Sequence, residues 1–340
     1  LLQLVKEGKV SEKTIDDAVR RILRIKFRLG LLEHPYVDPD RARKVIQSKE
    51  NIQATLEAAR RSMVLLRNEG GLLPLKKHIR SIAVIGPLAD DRVAPLGSWS
   101  CNGNPKDVVS VLDGIKGRVS SRTKVLYAKG CDVEGASTEG FEDAVKIAKE
   151  SNVAVVVVGE TRDMSGEAAC RASLDLPGVQ EELVKAVYET GVPVIEVLMN
   201  GRPLSISWSA EHVLAILEAW FPGIQGGSAI ADVIFGDYNP GAKLPVTFPR
   251  TVGQVPIYYN HENTGRPPSS DRWTCKYLDI PSTPLFSFGH GLSYTKFGYS
   301  NLRINQKRIE SGEEFEISAD VKNIGDRKGC LLYTSDAADE

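Results

Sequence analysis

The 340-residue chain is 42% hydrophobic, which is enough for a large core and favours two or three domains. Its 43 basic and 44 acidic residues give a net charge of -1, which argues against a nucleic-acid or anionic-membrane partner. No apolar run is long enough to span a bilayer. The five cysteines form no CxxC pair and no zinc-site spacing, so we expect isolated thiols and no metal site.

The beginning of the chain carries the clearest helical pattern. Residues 11–29 are predicted to form an amphipathic helix, with Ser11 as its N-cap and Gly30 just after its C-terminus. A second helix is predicted over 51–61. Between the two helices, residues 34–39 contain two prolines that break the period, which indicates a linker.

From Ser81 onward, predicted strands alternate with predicted helices. The strands are 82–85, 124–127, 153–158, 193–199 and 213–219. The helices are 108–115, 141–151, 179–190 and 225–235. This alternation predicts an α/β sandwich with a mostly parallel sheet, right-handed crossovers and helices on both faces.

The pattern changes after Asp237. Residues 249–284 are rich in Gly, Pro, Asn, Tyr and Arg, which indicates a long functional or linking loop. From Phe297 the apolar residues alternate, as in the opening strands of a β-sandwich, but too few strands follow to close one. Residues 329–340 do not continue this alternation and resemble a non-native read-through, so they are left out of the fold prediction.

The central feature is the segment from Asn152 to Pro177. Its run of valines is typical of a strand buried on both faces. A polar loop follows, and α/β sheets place their chemistry in such loops at the carboxyl ends of strands. The loop carries these polar candidates: Glu160, Asp163, Ser165, Glu167 and Arg171.

A resemblance to a known family rests on motifs spread along the chain. They are IDDAVRRIL (15–23), LLRN (65–68), IAVIGP (82–87), MSGEA (164–168), LMNGRP (198–203), AWFPG (219–223), KLPVTFP (243–249) and FGHGLSY (288–294). In this order, over residues 1 to about 328, they resemble glycoside hydrolase family 3 and, within it, its periplasmic β-glucosidase branch.

The resemblance implies an N-terminal (β/α)8 barrel, an α/β sandwich and a fibronectin type III-like domain. The domains it implies are the end of the barrel (1–33), a linker (34–80), the α/β sandwich (81–248), a long loop or linker (249–296), the truncated start of the fibronectin type III-like domain (297–328) and the non-native tail (329–340). We therefore expect a chain that begins within a longer protein.

The resemblance also implies a retaining exo-acting β-glycosidase, most simply a β-glucosidase that removes terminal β-D-glucosyl residues. Glu167 matches the acid/base, and the nucleophilic Asp would lie on the barrel, upstream of Leu1. The chain alone is then expected to be inactive. The implied partners are a β-glucoside and the barrel, the implied location is periplasmic or secreted, and no cofactor is implied.

The residues around Glu167 leave alternatives open. Glu160, directly after the strand, competes for the acid/base role but is better suited to a structural hydrogen bond. Trp99 either stacks on a sugar ring or lies at the edge of the core. Asp163 and Arg171 either orient Glu167, bind a sugar hydroxyl of the substrate or form a pair that stabilises the loop, and His290 is expected to pin an interdomain turn.

Two other functions remain from the residues alone. The first is a non-catalytic carbohydrate-binding or interdomain scaffold module. The second is a flavodoxin-like nucleotide binder, suggested by Gly86 after the first strand. The loop there reads GPLADD and has no GxGxxG or Walker pattern, so the nucleotide hypothesis is weak.

Overall fold

The computed structural model describes residues 1–262 and 264–331, without the side chain of Arg43. The chain divides into two compact units, Leu1–Ile52 and Gln53–Glu340. The described helices are α1 Leu2–Lys6, α2 Glu12–Arg28, α3 Pro39–Ile46, α4 Lys49–Ser62, α5 Val111–Arg118, α6 Phe141–Lys149, α7 Gln180–Tyr188, α8 Ser207–His212 and α9 Gly226–Ile234. The described strands are β1 Val64–Asn68, β2 Ser81–Ile85, β3 Lys124–Ala128, β4 Ala154–Gly159, β5 Val194–Met199, β6 Ala215–Glu218, β7 Phe297–Ile304 and β8 Ile317–Asn323.

The first unit is helical. Helix α2 begins after Ser11, whose side chain accepts a hydrogen bond from the Thr14 backbone N–H, so the predicted helix and its N-cap are confirmed. Gly30 follows the helix with a φ of +66°, as expected of the residue after a helix end. The apolar face of α2 is exposed; Ile22, for example, keeps 60% of its surface accessible. That this unit is the end of a barrel stays a prediction.

The second unit contains a six-stranded sheet in the order β1-β6-β5-β4-β2-β3. All neighbouring strands are parallel except β1, which runs antiparallel to β6 at one edge. The predicted mostly parallel α/β sheet is confirmed. The order places β4 between β5 and β2, so both of its faces and both of its edges are covered.

The predicted linker over 34–80 needs a correction, because the structure places Val64–Asn68 in the sheet as β1. Helices α3 and α4 also lie entirely within that range. The short run of β1 has no alternation that identifies a strand, although turn residues follow it at 68–71. Its identity as a strand comes from pairing with β6, which lies far along the chain.

Helices cover both faces of the sheet and produce three layers. On one face, apolar residues of α4, α5 and α9 pack against the strands, with Ile115 and Ile230 fully buried. On the other face, α6 and α7 contribute a second core, with Ala144 and Leu183 fully buried. Because the sheet is enclosed, polar side chains reach solvent mainly at the strand ends, where the loops lie.

The segment after the sheet folds back onto it. Leu292 N–H donates to the Leu65 carbonyl at 2.8 Å, and Phe248 bridges to Phe286. His290 Nε2 lies 2.8 Å from the Leu66 carbonyl, which supports the structural role expected for this histidine. The predicted 249–296 loop is therefore fastened to the edge strand at its end.

The C-terminal part contains the antiparallel pair β7 and β8, in agreement with the alternating pattern. Both strands are largely exposed within the described residues. A fibronectin type III-like β-sandwich stays a prediction. The expected tail begins at 329, and its residues 332–340 lie outside the described part of the chain.

Candidate functional site

Four loops meet at the carboxyl ends of the parallel strands. They follow β6, β5, β4 and β2, which are consecutive neighbours in the sheet. Hydrogen bonds join the β2 loop to the β4 loop and the β5 loop to the β4 loop. The loop after β4, residues 160–176, is thus held from both sides.

Glu160 forms the base of this loop and is completely buried. Its Oε1 accepts from Arg171 Nη1 at 2.7 Å and lies 3.1 Å from Arg202 Nε, which donates to Oε2 at 3.4 Å. The backbone N–H of Gly201 also points to Glu160, at 3.3 Å. A buried carboxylate with two arginine partners is satisfied both in charge and in hydrogen bonding. The interpretation of Glu160 as a structural group is therefore supported.

Arg202 connects this base to the rest of the loop. Its Nη2 donates to the carbonyl of Ala169 at 2.9 Å and also to the carbonyl of Met164. These two carbonyls lie on either side of Glu167 in the sequence. Ser98, in the loop after β2, contacts the same segment from the other side, through the carbonyls of Arg162, at 2.6 Å, and Ser165.

Glycines allow the close approach of these loops. Gly166 has a φ of +107°, and a Cβ there would lie 2.9 Å from Ser98 Cβ. A Cβ on Gly201 would lie 2.3 Å from Ser165 Oγ and 2.8 Å from a ring carbon of Phe221. Neither position has room for a side chain, so the backbone itself makes the packing contact.

Glu167 lies next to Gly166 and is exposed. Within the described ranges it makes no hydrogen bond and no ion pair. Trp99 is 73% exposed, and its ring lies beside Gly166, since a Cβ on that glycine would be 3.8 Å from Trp99 Cε2. The fold thus presents a carboxyl group and an aromatic ring on neighbouring loops at one end of the sheet.

The suggested pair between Asp163 and Arg171 is wrong. Asp163 is 86% exposed and lies 3.5 Å from Arg162 Nε, whereas Arg171 pairs with Glu160. Glu160 outcompetes Asp163 because a buried carboxylate has more to gain from an arginine than an exposed one. Substrate binding by Trp99, Asp163 and Arg171 stays a prediction.

Sequence reasoning assigned no role to Arg202 or Ser98. Arg202 lies in the quoted motif LMNGRP, and Ser98 precedes Trp99, but nothing in the local pattern says which carbonyl each side chain reaches. It also passed over Glu196 and Glu218, two fully buried carboxyl groups. Their position inside apolar strands was the available signal.

Glu218 ends β6 near Glu160. Its oxygens accept from the Trp220 backbone N–H at 2.8 Å and from Asn200 Nδ2 at 3.1 Å. Burial raises the pKa of Glu218 to about 8, and the nearby charge of Glu160 acts in the same direction. Two hydrogen bonds therefore offset only part of the cost of burying its charge.

Glu196 lies inside β5, and neither of its oxygens has a hydrogen-bond partner among the described residues. Burial raises the pKa of Glu196 to about 7. The group is enclosed in the sheet and cannot contact a substrate at the strand ends. It is a candidate for a pH-dependent contribution to stability, not for catalysis.

A cavity of about 1520 Å³ borders the loops from another side. Its lining includes Gly201, Arg202, Trp220 and Lys243, but neither Glu167 nor Trp99. The tip of the loop after β4 therefore does not line this cavity, and Glu167 and Trp99 are both exposed. An exposed loop tip is suited to complete a site together with another surface.

Other site types find no support in the described part of the chain. No group of His, Cys, Asp and Glu there is arranged to hold a metal ion. The described cysteines are free; Cys131 is buried, and burial raises its pKa to about 11. None of the described helices has the length and apolarity needed to cross a bilayer.

Comparisons with known proteins give consistent matches. The model of the glycosyl hydrolase family 3 C-terminal domain matches residues 63–294. A protein named periplasmic beta-glucosidase from Salmonella typhimurium is 41% identical, with 97% of this chain and 46% of that protein covered. A beta-xylosidase from Formosa agariphila is 44% identical, with 92% and 43% covered.

Among solved structures, a beta-glucosidase from Listeria innocua in complex with isofagomine is 38% identical and superposes with a TM-score of 0.85. The match covers 96% of this chain and 45% of that one. The chain therefore spans about half the length of the relatives it matches.

Proposed function

This chain belongs to glycosyl hydrolase family 3, and from that membership we propose that it is the C-terminal portion of a retaining exo-acting β-glycosidase. In this proposal Glu167 is the acid/base, and an Asp on a preceding barrel domain is the nucleophile. The single observation that carries the assignment is the position of Glu167. It is an exposed carboxyl group with no hydrogen bond or ion pair among the described residues, on a loop that Arg171 and Arg202 fasten to the protein.

The proposed reaction has two steps. First, the Asp carboxylate attacks the anomeric carbon, the glycosidic C–O bond breaks, and Glu167 gives its proton to the leaving oxygen. Then water attacks the same carbon, Glu167 takes a proton from it, and the bond to Asp breaks. The sugar leaves with its original anomeric configuration, and both carboxyl groups return to their starting states.

Contact with the barrel is central to this proposal. A retaining glycosidase needs its two carboxyl groups about 5 Å apart, so a projecting acid/base loop must reach a nucleophile on another surface. The chain alone is therefore proposed to be inactive toward an aryl β-glucoside. Turnover by the chain that disappears in Glu167→Gln would contradict this part.

The acid/base role is tested in the full-length protein with Glu167→Ala. We expect about 10²–10⁴-fold slower hydrolysis of a β-glucoside with a poor leaving group, since such a group needs the proton. A dinitrophenyl β-glucoside should lose far less in its first step, and added azide should restore turnover by replacing water. Glu139→Ala, which removes another exposed carboxyl group, is the control. Equal losses on both substrates would contradict the assignment.

We propose glucose as the preferred terminal sugar, although relatives carry both names, β-glucosidase and β-xylosidase. The structural similarity to a β-glucosidase solved with isofagomine supports the choice. The ratio of kcat/KM for nitrophenyl β-glucoside and nitrophenyl β-xyloside tests it directly. A ratio in favour of the xyloside would reverse the assignment.

Trp99 supports a second candidate, a carbohydrate-binding role without catalysis. Its ring is 73% exposed and lies beside Gly166 in the loop that carries Glu167, so an aromatic face is available there for stacking on a sugar ring. Calorimetry with cellobiose distinguishes the two functions. Binding that survives Glu167→Ala but is lost in Trp99→Ala, without turnover by the full-length protein, would favour the binding module.

A periplasmic or secreted location is proposed as well. The support is the similarity to a protein named periplasmic beta-glucosidase. Fractionation of cells that produce the full-length protein tests the proposal, and activity confined to the cytoplasm would contradict it.

A further inference from the structure

We infer that Arg202 is a positioning residue that fixes the loop carrying the proposed acid/base, Glu167. The inference rests on the proposed function, because a loop needs such precision only if Glu167 transfers a proton. It concerns a residue in the loop after β5, which is a different element from the loop it holds.

The contacts of Arg202 are placed on both sides of Glu167. One guanidinium nitrogen, Nη2, donates to the Ala169 carbonyl at 2.9 Å and to the Met164 carbonyl. The segment between these two carbonyls contains Ser165, Gly166, Glu167 and Ala168. Arg202 therefore joins the two ends of the short segment that carries the carboxyl group.

Arg202 is itself held in place. Its side chain is 19% exposed, and its Nε lies 3.1 Å from the Glu160 carboxylate, which is fully buried. Glu160 also accepts from Arg171 at 2.7 Å, and Arg171 Nη2 donates to the Asp175 carbonyl at 3.0 Å. The planar guanidinium can face a carboxylate with one edge and carbonyls with another. A lysine at 202 has a single donor group and cannot span these partners.

Arg202 would affect the reaction rate through the distance between the Glu167 carboxyl group and the leaving oxygen. A general acid must lie within about 3 Å of the oxygen it protonates, and a displacement of about 1 Å costs on the order of 10²-fold in rate. Gly166, with a φ of +107°, gives the segment freedom that an ordered site has to remove. We therefore expect loss of Arg202 to loosen Glu167 while leaving the sheet intact.

The experiment uses Arg202→Lys in the full-length protein, because lysine keeps the positive charge beside Glu160. We expect about 10-fold or greater loss of kcat/KM on the poor-leaving-group β-glucoside and less than about 3-fold on the dinitrophenyl β-glucoside, because kcat/KM reports the first step, in which only the poor leaving group needs the proton. The control is Arg250→Lys, which removes a similar arginine-to-carbonyl bond, from Arg250 Nε to Thr283 at 2.9 Å. It should change neither rate.

A double-mutant comparison separates positioning from general structural damage. In the Glu167→Ala background, Arg202→Lys should have little further effect on kcat, since the group it positions is absent. Equal slowing of both substrates by Arg202→Lys would overturn the inference. The inference would also fail if the rate losses from Arg202→Lys and Glu167→Ala multiplied in the double variant. Hydrogen exchange over 163–170 should accelerate in Arg202→Lys, and unchanged exchange would also overturn it.

Failure of this inference is distinguishable from failure of the proposed function. If Glu167→Ala shows no dependence on the leaving group, the acid/base assignment is wrong, and the positioning role is wrong with it. If Glu167→Ala behaves as an acid/base variant but Arg202→Lys does not, only the positioning role is wrong.

Discussion

Glu160 and Glu167 belong to the same loop after β4, but the base and the tip of that loop surround their carboxyl groups in opposite ways. At the base, Glu160 is completely buried and contacts Arg171 and Arg202. Near the tip, Glu167 is exposed and makes no hydrogen bond or ion pair within the described residues.

The difference assigns separate tasks to two residues of the same type. A buried carboxylate that pairs with two arginines holds the loop together. It is unsuited to proton transfer, because loss of its charge would leave both arginines without an anionic partner. An exposed carboxyl group has no structural partner to lose when it changes protonation. The base can therefore be tested through stability and the tip through activity.

The largest effect on stability is expected from Glu160→Gln, because this change removes the buried carboxylate at the base of the loop. Loss of the buried carboxylate leaves Arg171 and Arg202 without their anionic partner, and breaking a buried pair typically costs about 3–5 kcal/mol. Urea unfolding of the chain measures the change in free energy.

The matched control is Glu167→Gln, which should stay within about 0.5 kcal/mol of the parent because it alters an exposed group. A similar loss in both variants would mean that the base and the tip do not differ as described.

Glu196 shows how a buried carboxyl group behaves without partners. It is as buried as Glu160 but has no hydrogen-bond partner in the described residues. Burial raises its pKa from 4.5 to about 7, so the folded chain holds a proton that the unfolded chain has released. The contribution of Glu196 to stability is complete below pH 4.5 and is lost as the pH rises through 7.

Glu196→Met should remove this pH dependence. The free energy of unfolding of the variant, relative to the parent, should rise by on the order of 3 kcal/mol between pH 5 and pH 8. Unfolding at several pH values measures it, with exposed Glu182→Gln as the control. A difference that is constant with pH would contradict the burial argument.

A smaller effect is expected from Gly201→Ala, which crowds the contact between the loops after β5 and β4. The new Cβ would lie 2.3 Å from Ser165 Oγ and 2.8 Å from Phe221, so both must move. Overpacking of this kind costs about 1–3 kcal/mol. Gly117→Ala is the control, because a Cβ there meets nothing within 4 Å and alanine favours the helix. Equal stability of the two variants would contradict the tight contact.

Local signals were enough to predict the α/β class, the mostly parallel sheet and the loop that carries Glu167. These features depend on local signals: a run of valines from 155 to 158, strands alternating with helices, and caps such as Ser11. Such signals can be recognised without the fold because hydrophobic periodicity and capping act over a few neighbouring residues.

Which side chains and strands contact each other could be identified only in the folded chain. In the folded chain β1 pairs with β6, and Arg171 forms an ion pair with Glu160 and not with Asp163. Arg202 donates hydrogen bonds to carbonyls on either side of Glu167. Such contacts join residues distant in the chain, and their energies depend on burial that no short stretch of sequence contains. The apolar strands around Glu196 and Glu218 signal that the two groups are buried, but their raised pKa values come from the layers packed over them, which only the folded chain shows.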